Sequence, residues 1–199
     1  MRYSTAILIA GITGTTAALA RAGVRQPGKH LPGDRLVRRA VLTRTIACDI
    51  PAPPSAVWPW LAQMGAGRAG WYAFDRIDNG GVPSASEIIP ALQRIVPGDT
   101  LASSAGGAPP FVVTQAVPGR ALVTVLRSRG GRLRVSYAYV LEPTGSGGTR
   151  LTARLRMGGR PLLPSLLAAP VVLAAHEAGQ RRQFARLRRQ ISALPGPHR

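Results

Sequence analysis

The chain has 199 residues, enough for one domain with a substantial core and too few for two ordinary domains with linkers. Hydrophobic residues make up 45%, and 23 Gly with 18 Pro signal many turns without the composition of a disordered chain. The single cysteine, Cys48, excludes an intramolecular disulfide and a cysteine-built metal site, whereas a formal net charge of +18 favours anionic partners.

That charge has a plain origin as well. Every basic residue except Lys29 is arginine, and Ala, Gly and Pro are abundant, the skew of a GC-rich genome. No helix-turn-helix, zinc-finger, RRM or KH pattern accompanies it, so nucleic acid is a disfavoured partner.

Residues 1–22 begin with Arg2, continue uncharged from Ser4 to Ala20, and offer Ala18-Leu19-Ala20 as an A-x-A-like cleavage site. The stretch is marginal for a bilayer of ~30 Å hydrocarbon, which needs about 20 apolar residues. A cleaved signal peptide, an N-terminal membrane anchor and a plain amphipathic start all fit. Membrane association or export is therefore the expected localisation, with the cytoplasm as the alternative. Residues 23–34, rich in Gly and Pro, read as a linker, residues 35–194 as the folded domain and 195–199 as a tail.

RAVLTRTIACDI (39–50) alternates and is rich in β-branched residues, which predicts a strand, with Cys48 as a small buried hydrophobe. PAPPSAVWPWLAQM predicts a short helix with Ser55 as N-cap, Pro59 in its first turn, and Val57, Leu61 and Met64 on one face. GAGRAG (65–70) then satisfies G-x-G-x-x-G. A dinucleotide fingerprint, however, needs its glycines after a strand and at the mouth of a helix, and these follow a helix. Gly65 reads instead as a C-cap residue and Gly67 and Gly70 as loop flexibility near a cavity mouth.

WYAFDRIDNGG and SASEIIPALQRI predict short helical turns, the second capped by Ser84 or Ser86, with Ile88, Leu92 and Ile95 on an apolar face. From VPGDTLAS to TRLTARLRMG, roughly five or six strands are separated by PGD, PGR, RGG and TGSGG turns, an antiparallel sheet. The last segment predicts a long helix with a stripe of Leu166, Pro170, Leu173, Glu177, Gln180, Phe184, Leu187, Ile191 and Leu194 laid on the sheet. Pro170 either kinks this helix or marks its start. Arg181, Arg182, Arg186, Arg188 and Arg189 fall largely on other faces and form a candidate surface for anionic lipid or nucleic acid.

One strand, short helices, an antiparallel sheet and a long terminal helix describe an α+β helix-grip fold, in which a curved sheet wraps the last helix around an apolar cavity. The wording A-P-P-x-x-V-W-P-W-L-x-Q-M-G and G-W-Y-x-x-D, with LEPTGSGGTRL and the final helix, resembles the START-like, polyketide cyclase/dehydrase type of the SRPBCC superfamily over about residues 32 to 194. The resemblance implies a helix-grip fold and a pocket for a small hydrophobic ligand such as a lipid, isoprenoid or polyketide. It implies no particular chemistry, because the family includes carriers and cyclases alike.

A cyclase would need a general acid or base at the cavity, and the candidates are Asp75, Glu87 and His176. Asp75 and Asn79, an i, i+4 pair, are placed either to orient a ligand together or to support the turn at Asn79-Gly80-Gly81. Of the aromatic cluster between Trp58 and Phe74, Trp71 and Tyr72 are the residues expected to face a cavity, with Tyr137 and Tyr139 on the opposite wall. No metal-ligand spacing and no hydrolase motif is present, and no cofactor is expected. Binding of a small hydrophobic molecule leads, a cyclase/dehydratase-like activity is its rival, and arginine-mediated binding of an anionic surface comes third.

Overall fold

A computed structural model describes residues 30–159 and 162–193. The expectations for residues 1–22, most of the 23–34 linker and the 195–199 tail fall outside these residues. Six strands form one antiparallel sheet in the order β1-β6-β5-β4-β3-β2. They are β1 (Leu42–Ile50), β2 (Thr100–Leu101), β3 (Phe111–Val117), β4 (Ala121–Arg127), β5 (Leu133–Pro143) and β6 (Thr149–Gly159). Between β1 and β2 lie helix α1 (Pro54–Ala62), the single turn α2 (Asp75–Asp78) and a 3-10 turn at Pro90–Leu92, and after β6 comes α3 (Leu162–Ser192). No helix among the described residues is long and apolar enough to cross a membrane.

Alternation sets the two faces of the sheet. Leu151, Ala153, Leu155 and Met157 of β6 are buried on the inner face, where they pair across the ladder with Cys48, Ile46, Arg44 and Leu42 of β1. Next to them, Tyr137 and Tyr139 of β5 stand opposite Leu155 and Ala153 and, on the other side, Thr124 and Leu122 of β4. The C-terminal half of α3 packs Phe184, Leu187 and Ile191 into the core against this inner face, together with Val57, Trp60 and Leu61 of α1. Cys48 packs at the edge of that core, and burial first, then the neighbouring Asp49 charge, push its thiol up to about 11, so it stays a neutral thiol.

The outer face is covered by the segment that precedes β1. Leu31 is buried, a 3-10 turn spans Asp34–Val37, and Asp34 Oδ2 accepts from Arg154 of β6 at 2.9 Å. Gly33 has φ +85°, and a Cβ there would stand 2.5 Å from Val123 Cγ1, so the close approach of this segment to β4 requires glycine.

Several local expectations change. Helix α1 begins at Pro54, with Pro53 in extended geometry and no side-chain cap, so Ser55 lies inside the first turn and Pro59 in the helix body. Proline at the first helical position has no N-H to satisfy and a backbone angle suited to the helix, and the Ala56 and Val57 amides donate to Pro53 O without a side-chain cap. SASEIIPALQRI forms only the 3-10 turn, with neither Ser84 nor Ser86 as its cap. Helix α3 starts at Leu162, and Pro170 lies within it. Leu194 of the expected stripe lies outside the described residues.

Candidate functional site

The route from α1 to the cavity runs through GAGRAG, and this loop is closed upon itself. The Gly65 and Gly70 amides donate to each other's carbonyls at 3.1 and 3.0 Å, Ala66 donates to Ala102 O, and Gly67 to Asn79 Oδ1. Arg68 N and Ala69 N donate to Gly65 O and Gln63 O. All six amides are therefore committed within the protein, and none is left for a phosphate. The Arg68 side chain reinforces the loop, donating to Ala62 O, Met64 O and Leu92 O at 3.1 to 3.2 Å and so satisfying carbonyls at the end of α1. The expected C-cap and flexible junction is instead a tied loop, with Gln63 at the C-cap of α1.

Gln63 holds the neighbouring loop as well. It is fully buried, donates to Tyr72 Oη at 2.6 Å and to Glu87 O, and accepts from Ile89 N and Gln93 Nε2. Tyr72 takes a left-handed backbone conformation, φ +60°, its amide donating to Ser84 Oγ. Its ring turns into the core against Trp60, with centroids 5.9 Å apart, while its neighbours Trp71 and Ala73 line the cavity.

That cavity, about 470 Å³, lies between the inner sheet face, the 71–78 segment and the middle of α3, from Val172 to Gln183. One wall is a continuous aromatic series. Trp71 meets Phe111 edge-on at 5.7 Å, Phe111 meets Tyr137 at 5.4 Å, and Tyr137 stacks with Tyr139 at 6.3 Å. Trp71 is held by donation from Nε1 to Ala102 O at 3.0 Å. Helix α3 contributes Val172, Ala175, His176, Gly179, Gln180 and Gln183, a helical stripe whose small members leave the space open. Phe74 and Ile77, the latter 76% exposed, stand at the rim.

Two polar groups of the lining are incompletely satisfied. His176 is 5% exposed, its Nδ1 lies 3.0 Å from Tyr137 Oη, and its Nε2 is buried without a hydrogen-bond partner among the described residues. Burial lowers the imidazole to about 4, opposed by the neighbouring Glu177 and aided by Arg44. Burial also drives the Tyr137 hydroxyl far above its ordinary range, with Tyr139 adding to the effect, and pushes the Tyr139 hydroxyl up to about 12. The pair is thus neutral on both sides near pH 7. Asp78, the other group, accepts from Phe74 N through Oδ2 while Oδ1 is buried without a partner among the described residues, and burial raises its carboxyl.

No protein-family model matches the chain, and no curated protein matches it. Among solved structures it is similar to the hypothetical protein jhp0584 from Helicobacter pylori, at 12% identity over 80% of this chain and 94% of that one, with a TM-score of 0.52. It also aligns with protein MLL2253 from Mesorhizobium loti at 17% identity over 77% and 100% of the two chains, TM-score 0.47. CalU16 from Micromonospora echinospora aligns at 17% identity over 78% and 69%, TM-score 0.46. A curved six-stranded antiparallel sheet closed by a long C-terminal helix decides the architecture. The fold is a helix-grip fold.

The helix-grip cavity gathers some of the residues singled out in the sequence and not others. Trp71, Tyr137, Tyr139 and His176 line it. Tyr72 is turned into the core. Asp75 accepts from Arg186 at 2.8 Å and from Ser84 at 2.5 Å; burial favours its neutral acid, but these bonds outweigh that and lower its titration. Asn79 is buried, accepting from Gly67 N and donating to Val82 O, which makes it a loop brace. Glu87 is exposed on the far side of Gln63. Gln180 belonged to the stripe expected to lie on the sheet, whereas Phe111, Gly179 and Gln183 carried no signal in the sequence, because nothing in their spacing separates a cavity wall from a strand interior or a polar helix face.

The arginine series divides in two. Arg182 donates to Ala73 O at 2.7 Å and lies over the Phe74 ring at 5.3 Å, and Arg186 is bound to Asp75 and to Ser84 O. Both fix the 73–84 segment to α3. Arg181 pairs with Glu177 at 3.5 Å, while Arg188 and Arg189 are exposed. Glu177 also meets Arg44 on the inner face of β1. Among the described residues, no group of three or more His, Cys, Asp or Glu is arranged to hold a metal ion.

Proposed function

We propose that this protein binds a small, largely apolar molecule between α3 and the sheet, and we assign no catalytic step. The observation that carries this reading is the aromatic-walled cavity of about 470 Å³, within the ~300–1,000 Å³ range of small-molecule sites and lined mainly by apolar groups with a few polar ones. Its wall is preformed: Trp71 is tied to the backbone and the tyrosines are stacked on a strand, so little ordering is required on binding. A lipid, an isoprenoid and a polyketide-like aromatic all satisfy this description.

The rival reading is a cyclase/dehydratase-like enzyme. Its acid or base would be His176, since Asp75 is held by Arg186 and Ser84 and Glu87 faces away. Extraction of the protein purified from its native host, followed by mass spectrometry, tests the binding reading, with Gly179→Phe as the control. A Cβ at Gly179 meets only Ala73 Cβ, at 4.0 Å, so the larger ring has the cavity to enter. A small apolar molecule recovered from the wild type and lost from the variant supports binding. Turnover of a poly-β-ketone that disappears in His176→Leu would establish the rival instead.

A further inference from the structure

The charges of this chain are segregated by the fold. Between Asp99 and Glu177 there is a single acid, Glu142, and it sits at the end of β5 remote from the β4–β5 turn. That turn reads RSRGGRLR (127–134), with Arg127, Arg129, Arg132 and Arg134 all exposed. Among the described residues, none of the ion pairs includes any of the four. A Cβ on Gly130 or Gly131 would meet nothing within 4 Å, so the tip is uncovered. Composition explains why the basic residues are arginines, but not why four of them gather here without a counter-ion. Arg127 and Arg134 are register partners, and like charges opposite each other destabilise a ladder, so the fold itself gains nothing from the pair. Arg39 O would lie 2.5 Å from a Cβ on Gly158, the register partner of Arg134, which places the exposed Arg38 and Arg39 at the same end of the sheet.

What stands beside the hairpin selects among anionic partners. Leu126 and Leu133, at its base, pack on the same buried cluster of Val135, Leu155 and Met157 as Ala169 and Val172 of α3. The first turns of the helix therefore lie next to the arginines. The chain is uncharged from Pro161 to Ala175, and within this stretch Leu167 and Val171 are 71% and 73% exposed. A nucleic-acid duplex offers phosphates to the arginines but no apolar layer to exposed aliphatic side chains. A bilayer with anionic headgroups offers both, at the level where interfacial helices lie.

We propose that this end of the protein, the β4–β5 hairpin with the first turns of α3, docks on a bilayer surface that carries anionic phospholipid. The surface is distinct from the Arg181 to Arg189 series, in which Arg182 and Arg186 are engaged with the 73–84 segment. The inference is independent of what the cavity holds.

Co-sedimentation of the full chain with vesicles tests it, using phosphatidylcholine alone and phosphatidylcholine mixed with phosphatidylglycerol. The wild type is expected to favour the mixed vesicles and to be released as salt is added. Arg129→Gln and Arg132→Gln, at the uncovered tip, should each weaken partitioning about fivefold and leave the thermal melt unchanged. Leu167→Gln should weaken it further at high salt, where the arginines are screened. Arg188→Gln and Arg189→Gln remove the same charge from the other half of α3 and should have little effect. Every variant carries the same residues 1–22, so differences among them report on the surface. Equal losses at Arg188 and Arg189 would show a response to net charge alone and overturn the hairpin assignment, and equal partitioning of the wild type to both vesicle types would overturn it too. Unchanged binding in Leu167→Gln at every salt concentration would remove the helix from the surface. Tighter retention on duplex DNA than on the mixed vesicles, lost in the hairpin variants, would overturn the lipid assignment in favour of nucleic acid.

Discussion

His176 and Tyr137, on α3 and β5, share a hydrogen bond of 3.0 Å inside a wall that keeps both rings neutral. The consequence is a pH-dependent stability with a defined sign. The folded imidazole titrates near 4 against 6.5 when unperturbed, so between these values the unfolded chain binds the extra proton. The contribution of this group is therefore complete above pH about 6.5, declines as pH falls, and levels off below about 4, having cost about 3 kcal/mol. The neighbouring Glu177 charge opposes this shift and Arg44 adds to it. Denaturant melts of the wild type and His176→Leu across this range should differ in slope, and equal slopes would remove His176 as the cause.

Asp75 provides the contrasting case, a titratable residue whose bonds are all structural. Asp75→Asn should lower stability by about 2 kcal/mol, since it removes a charge-assisted pair with Arg186 and leaves Ser84 with a poorer acceptor. Arg186→Ala should cost a similar amount, and the double variant should cost less than the sum because the two residues share one interaction. Thermal melts measure the effect. Binding of a cavity ligand should change little in Asp75→Asn, and a large loss of affinity without loss of stability would return Asp75 to the site.

Much of the architecture was legible in the sequence because it follows from alternation and turn chemistry. The β6 pattern from Leu151 to Met157 sets one buried face, and the PGR and TGSGG turns set the hairpins on either side of the β4–β5 pair. The cavity was legible mainly from the aromatic side. Tyr137 and Tyr139 share a strand face by period two, so their placement follows from β5 alone. The α3 wall left a fainter trace: His176 stood out as a titratable group and Gln180 as a member of the stripe, but Ala175 and Gly179 line the space by not filling it, and a search for an apolar stripe passes over them. The expected stripe meets the cavity at Gln180, but its Leu173 and Glu177 each stand one residue away from Val172 and His176, which line it. Buried polar hubs were equally hidden. Gln63 and Arg68 serve backbone carbonyls and amides from distant loops, contacts that no local pattern encodes.

Gly67 and Gly70 of GAGRAG differ in a way that alanine substitution should expose. Gly70 has φ +78°, and a Cβ there would lie 2.3 Å from Ser84 Oγ and 2.9 Å from Ser84 Cα, whereas Gly67 has φ +71° and nothing within 4 Å. Gly67→Ala should cost only the left-handed backbone penalty, about 1 kcal/mol. Gly70→Ala adds displacement of Ser84, whose hydroxyl serves both Tyr72 N and Asp75, and should cost roughly 3 kcal/mol or more. Chemical denaturation of the pair gives the comparison, and equal costs would contradict the packing of Ser84 against this loop.

Arg68 should be the arginine most damaging to lose among those discussed, although nothing in the sequence distinguishes it from the exposed ones. Its guanidinium serves Ala62 O, Met64 O and Leu92 O, so Arg68→Ala leaves three carbonyls to be resatisfied and should destabilise by about 2–4 kcal/mol. Arg68→Lys should recover only part of this, since one ammonium cannot reproduce the planar fork that reaches α1 and the 90–93 turn together. Arg188→Ala and Arg189→Ala, at exposed positions on α3, should stay within about 0.5 kcal/mol of the wild type. Differential scanning calorimetry of the four variants would separate the two classes. Comparable losses at Arg188 or Arg189 would show that the exposed arginines have structural partners of their own, and an undamaged Arg68→Ala would mean that GAGRAG holds its shape without the clamp.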